Sequence, residues 1–174
     1  MAYQVICISA VDGSEADEIA PLLAERLGYR VVDDEVVAMV ARQAAVDPEV
    51  VADVERGRSE DSANQVAVGG LIRRAIFQLA AEGRVVIVAH AASFALRERP
   101  DTLRVFLTAS DGTRTARTGT DAGQLAKLDA NRADYLNRFH GVVAEQPQHY
   151  DFVVNTDRFE PESAARIIAG IATT

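Results

Sequence analysis

One lysine in 174 residues, a single cysteine and no tryptophan set the first limits on this chain. The lysine is Lys127, so a phosphate-binding loop of the GxxxxGK[ST] type, which neutralises phosphate with its lysine, exists nowhere in the sequence. The cysteine is Cys7, inside an apolar run, which excludes an intramolecular disulfide and argues against a thiolate metal cluster; it reads as a small buried hydrophobe. No apolar stretch approaches the ~20 residues of a membrane span. The opening MAYQVICIS lacks a basic leader, so a cytoplasmic protein without membrane contact is expected. A basic face is missing too: 26 acids against 18 bases give a net charge of −8, unfavourable for nucleic acid.

The acids are unevenly placed. Residues 1–61 hold 14 acids and 5 bases, a charge of −9, whereas residues 62–174 hold 12 acids and 13 bases, a charge of +1. An acidic first third discourages long-range attraction of polyanions. At this length, with 48% apolar residues, one domain covering 1–174 is expected. Apolar β-branched runs predict strands at 4–9, 29–32, 85–89, 103–108 and 152–155. Helical spacing predicts helices at 15–27, 34–44, 48–55, 65–82, 111–118, 122–139 and 161–172, punctuated by Gly28, Gly83, Asp47-Pro48 and Pro161. The polar stretch 55–65 reads as a mobile loop. This alternation implies an α/β fold, a doubly wound parallel five-stranded sheet with helices on both faces. Ligands of such sheets bind beyond the carboxyl ends of the strands.

The first of those ends reads VICISAVDGSEADEIA at 5–20, a strand, a loop and a helix in the frame of a phosphate-binding loop. With Ser9 at the first glycine's place, Gly13 and Ser14 fit the loop, but Glu15 falls at the last glycine, Ala16 at the lysine and Asp17 at the hydroxyl residue. Asp12, Glu15, Asp17 and Glu18 crowd the helix start, where a helix otherwise favours an anion. The segment reads either as a charged helix cap or as a rebuilt site in which Asp17 or Glu15 ligates magnesium directly.

In this light the chain resembles the cytidylate kinase-like family, a branch of the P-loop nucleoside and nucleotide kinases. Members typically read ISREYGSGGREIA where this chain has ISAVDGSEADEIA, so a loop without lysine is already the family habit and the departure is the lost glycine pair. Further matching stretches, in one order, are LGYRVVDDEVV (27–37), GRVVIVAHAASFALRERPDTLRVFLTAS (83–110), DANRADYLNRFHG (129–141) and HYDFVVNTDRF (149–159). The resemblance implies a P-loop kinase fold with a lid-like helical region at about 111–139. It also implies ATP-dependent phosphoryl transfer to a small nucleotide or nucleoside, a CMP-like molecule, with Mg2+ as clamp. In that scheme Gly13, Ser14 and Asp17 bind the cofactor and Asp33 faces the acceptor. His90 and Ser93, where many members read GRGA, line the acceptor side with Arg132, and Arg114, Arg117 and Arg132 steady the transferring phosphoryl group.

Each of these residues has a plainer reading. Asp33 or Asp34 suits an N-cap, Ser93 an N-cap of a short helix before Pro100, the arginines a solvated face, and Tyr135, His140, His149 and Tyr150 packing. No metal site made of protein ligands alone is expected. The altered loop predicts weak or lost catalysis, the alternative being an inactive pseudokinase that serves as a ligand-binding or interaction module. A homodimer whose acidic first third or 55–65 loop docks on a basic partner is a further expectation.

Overall fold

The computed structural model of the protein describes residues 3–59 and 62–174. Five parallel strands, β1 (Val5–Ala10), β2 (Arg30–Val32), β3 (Val85–Val88), β4 (Thr102–Thr108) and β5 (Phe152–Asn155), form one sheet in the order β2-β3-β1-β4-β5. Val5 in the central strand lies opposite Val85 on one side and Thr102 on the other. Because successive strand residues point to opposite faces, VICI supplies both cores at once. Ile6 and Ile8 meet α1 (Ala16–Leu27) and α8 (Pro161–Ala172). Val5 and Cys7 meet the other layer, made of α2 (Glu35–Ala44), α3 (Pro48–Glu55), α4 (Ser62–Ala81) and α5 (Ala92–Ala95) together with part of α7 (Ala122–His140). Helices on both faces of a parallel sheet are the doubly wound arrangement the strand and helix alternation predicts.

The helix α1 shows how the sequence fixes its place. Ile19, Ala20, Leu23 and Ala24 fall on one face at helical spacing and are buried. Fully burying an Ile or Leu is worth about 1.5–3 kcal/mol, so truncating the fully buried Leu23 would loosen this layer. Gly28 caps the helix with its N–H on Ala24 and Glu25 carbonyls. The helix α6 (Asp111–Thr118) starts from Ser110, whose hydroxyl accepts from the Thr113 N–H, and Asp121 caps α7 in the same way through Gln124.

Boundaries differ from expectation in two places. The polar stretch expected as a loop at 55–65 is shorter: Glu55 ends α3 and α4 already begins at Ser62, while residues 60–61 lie outside the described residues. The short helix before Pro100 starts from Ala91 rather than Ser93. Ser93 is buried inside it, its hydroxyl 3.0 Å from that of Ser9, because a side chain beneath the end of β1 has a closer partner than the helix amides.

Two glycines are required by close approach. A Cβ on Gly13, at φ +81°, would meet the Arg114 Cα at 2.9 Å, so the loop after β1 rests on α6. A Cβ on Gly57, at φ +69°, would lie 2.3 Å from the Asn131 carbonyl oxygen, so the end of α3 touches α7 backbone to backbone.

Candidate functional site

A cavity of about 1010 Å³ opens beyond the carboxyl ends of β1, β2 and β3. Its walls are the loop from Ala10 to Glu18, the start of α2 at Asp33 and Asp34, one side of α3, the end of β3 through His90, and Arg117 of α6. Nine carboxylates line it (Asp12, Glu15, Asp17, Glu18, Asp33, Asp34, Glu49, Asp53, Glu55) against the arginines Arg56, Arg58 and Arg117. With His90 neutral, the lining therefore carries −6.

The loop turns sharply at two residues of positive φ. Gly13 has φ +81°, and Glu15, at φ 64° and ψ 31°, holds the left-handed conformation that favours glycine. Its groups are turned inward. Ser14 is fully buried; its N–H donates to the Val11 carbonyl at 3.2 Å and its hydroxyl to the same oxygen at 2.7 Å. Glu15 Oε2 lies 2.9 Å from Arg117 Nη2, an ion-pair contact outside hydrogen-bond geometry, since that oxygen has no hydrogen-bond partner. Burial pushes the Glu15 carboxyl up, Arg117 pulls it down, and Glu18 and Glu160 add to the rise, which prevails.

Arg114 and Arg117, three residues apart, reach the same loop. Arg117 donates to the Gly13 carbonyl at 3.1 Å, the Thr156 hydroxyl at 2.9 Å and the Thr156 carbonyl at 2.8 Å. Arg114, 3% exposed, donates to the Asp12 carbonyl at 2.7 Å and grips both oxygens of Asp129 at 2.8 and 2.7 Å. Arg132 is equally engaged. It holds Glu145 at 2.9 and 2.6 Å, stacks over Phe106, and reaches Tyr150, which also hydrogen-bonds Glu145. Neither Arg114 nor Arg132 lines the cavity, and neither does Ser93.

The opposite end is built differently. Asp34 takes the N-cap position of α2 without a side-chain cap bond, and Asp33 stands beside it on the cavity wall. Although its surface is exposed, Asp33 is enclosed by other acids. Partial burial first, then Asp34, Asp17 and Glu55, push its carboxyl up, with Arg56 opposing. In the same cavity wall, the buried carboxylate of Glu55 accepts from the His90 backbone N–H at 2.8 Å and faces His90 Nδ1 at 3.2 Å. Of the residues singled out in the sequence, the structure thus gathers Gly13, Ser14, Asp17, Asp33, His90 and Arg117 around one cavity.

The sequence profile of the cytidylate kinase-like family matches residues 5–158. The chain belongs to that family. No curated protein matches it. Among solved structures, an uncharacterized protein from Eubacterium ventriosum is 19% identical with a TM-score of 0.74, covering 97% of each chain. Shikimate kinase from Bacteroides thetaiotaomicron is 15% identical with a TM-score of 0.64, covering 98% of each chain. A gluconokinase from Sinorhizobium meliloti is 17% identical with a TM-score of 0.58, covering 98% of this chain and 97% of that one. At such identities the likeness is one of fold, the P-loop kinase fold.

In this cytidylate kinase-like chain three site residues escape the sequence reading: Glu55, Asp129 and Glu145. Each pairs with a residue 13 to 35 positions away. Only the position of Glu55, an acid on the buried face of α3 with Val51 and Val54, carried a local signal.

Proposed function

We propose that this family member binds a small nucleoside or nucleotide-like molecule in the cavity while ATP-dependent phosphoryl transfer is weak or lost. The observation that carries the reading is the inward-turned loop. In the family reaction, Gly13 and Ser14 would supply donors to the triphosphate, and Asp17 would help hold Mg2+. Here the Ser14 amide and hydroxyl both bind the Val11 carbonyl, and a carboxylate at Glu15 faces the arginine nearest the turn. A unit negative charge 4 Å from a phosphate costs roughly 4 kcal/mol at an effective dielectric of 20. These contacts make the loop a poor fit for MgATP, which supports the reading.

A second reading, an active kinase, is favoured by the turn itself. Gly13 and Glu15 have positive φ, as a phosphate loop would need, and Asp33, on the wall of the same cavity, is the carboxylate such a reaction would use as base. Titration calorimetry with MgATP, paired with an assay of ADP release in the presence of CMP or cytidine, separates the two. The first reading expects a dissociation constant on the order of millimolar or weaker and no ADP release above background. Micromolar binding with turnover establishes the second.

A further inference from the structure

The two contacts between Glu55 and His90 do more than fill space. A carboxylate only accepts, so the ring atom facing it, Nδ1, carries the proton. The second contact, from the His90 N–H to the same Glu55 oxygen, fixes the backbone from which the imidazole projects. Burial would raise the Glu55 carboxyl, but the two hydrogen bonds it accepts from His90, with Arg56 nearby, act against this, and the group stays below the usual range as a carboxylate. With Nδ1 turned to a buried acid, the opposite edge of the ring, Nε2, is what His90 offers to the cavity it lines; about a quarter of its side chain is exposed there.

We infer that Glu55 and His90 form a hydroxyl-binding pair, in which Glu55 sets the tautomer and His90 Nε2 accepts the hydrogen bond of a hydroxyl on an uncharged, nucleoside-like ligand. This rests on the acceptor-binding reading above and narrows its substrate class. Asp33, which lines the same cavity, supplies a second acceptor for a neighbouring hydroxyl of the same molecule. A phosphate is a poor occupant of this end. Of the three arginines on the wall, Arg117 is paired with Glu15 and Arg58 with Asp53, leaving Arg56 alone against the acids. Glu55 is a positioning residue: it reaches the ligand only through the ring it orients.

The test is imidazole 15N NMR at pH 8 on the full chain, with cytidine as the probe and CMP as its charged counterpart. The His90 signals are assigned by their loss in His90→Ala. The expected result is a protonated Nδ1 and a bare Nε2 in the wild type and in Glu55→Gln, whose amide oxygen still accepts. In Glu55→Ala the ring becomes a mixture of tautomers. Cytidine shifts the Nε2 resonance, binds about tenfold more weakly to His90→Ala, in keeping with one lost hydrogen bond, and binds more tightly than CMP. A protonated Nε2 in the wild type, cytidine affinity unchanged in His90→Ala, or a preference for CMP overturns the inference. Should Glu55→Ala fail to fold, Glu55→Gln and His90→Ala carry the test. ATP turnover, if found, would overturn the reading of the loop and leave the tautomer result intact, so the two failures are told apart.

Discussion

At the loop end of the cavity the guanidinium groups are held by the protein itself, Arg114 by Asp129 and Arg117 by Glu15 and Thr156. At the opposite end Asp33 has no ion-pair partner within 4 Å among the described residues, and Glu55 is engaged in orienting His90. Both ends use the same kinds of side chain. The difference lies in where the pairing leaves a free valence: a closed ion pair presents little to a ligand, whereas a carboxylate that grips one edge of an imidazole leaves the other edge available.

The largest test of that contrast lies in the arginines withdrawn from the cavity. Arg132 is 5% exposed and its partner Glu145 is largely covered. Removing one partner of a buried pair strands the other, so Arg132→Ala is expected to lower the unfolding free energy by about 3–5 kcal/mol, read from urea denaturation. A loss under about 1 kcal/mol would mean that Arg132 is not a brace and is available for a phosphate after all.

The next effect subtracts acid lability that belongs to neither end. Burial, with Arg73 and Arg97 nearby, pulls His140 from 6.5 to about 4. The unfolded chain therefore takes this proton first. The stabilising preference for neutral His140 is complete above pH 6.5 and fades as pH falls towards 4, by about 2 kcal/mol after allowance for partial exposure. His140→Gln should flatten that limb of a pH series of denaturation curves. An unchanged limb would assign the acid sensitivity to the cavity, where the depressed carboxylate of Glu55 also loses its contribution as pH falls.

Opening the loop end should make it resemble a donor site. Glu15→Gly with Ala16→Gly removes a charge and releases Arg117 from its carboxylate, so MgATP affinity is expected to rise at least about tenfold by calorimetry. Stability should barely change. Glycine relieves a left-handed Glu15, worth about 1–2 kcal/mol, which offsets the roughly 1 kcal/mol helix-propensity loss at position 16. Unaltered ATP affinity would show that the inward-turned Ser14, not the acid, closes the loop.

The smallest effect concerns Asp33. Its carboxyl is raised in the folded protein, so its charged form is disfavoured above that raised value and the penalty disappears as pH falls through it. Asp33→Asn should stabilise the protein at pH 7 by no more than about 0.5 kcal/mol and by nothing near pH 3. Destabilisation at pH 7 would reveal a partner for Asp33 and weaken the contrast between the two ends.

The fold was legible because its signals are local. VICIS, VVIV and TLRVFLT announce strands by composition, and Gly28, Pro48 and Pro161 mark helix ends through their own backbone preferences. The resemblance of four ordered stretches agrees with the family match over residues 5–158. The cavity wall was partly legible, since Gly13, Asp33 and His90 each follow a strand. What periodicity does not carry is pairing at a distance. Nothing near Arg132 in the sequence announces Glu145, and the direction of Ser93 depends on Ser9, 84 residues earlier. The helix start at Ser62 was hidden by the polar run before it, whose composition suits a turn as well as a first helical turn.

Cys7 sits at the middle of the central strand, wholly inaccessible, beside Ile87 and Arg104 on the flanking strands. Burial also holds its thiol well above the usual range, so both routes to the reactive thiolate are shut in the native state. Being the only sulfhydryl in the chain, it is a built-in stopwatch: a maleimide or disulfide reagent can label the molecule only when the middle of the sheet comes apart. Labelling kinetics would therefore time sub-global opening of this strand in the native ensemble, without isotopes, denaturant or an engineered tag.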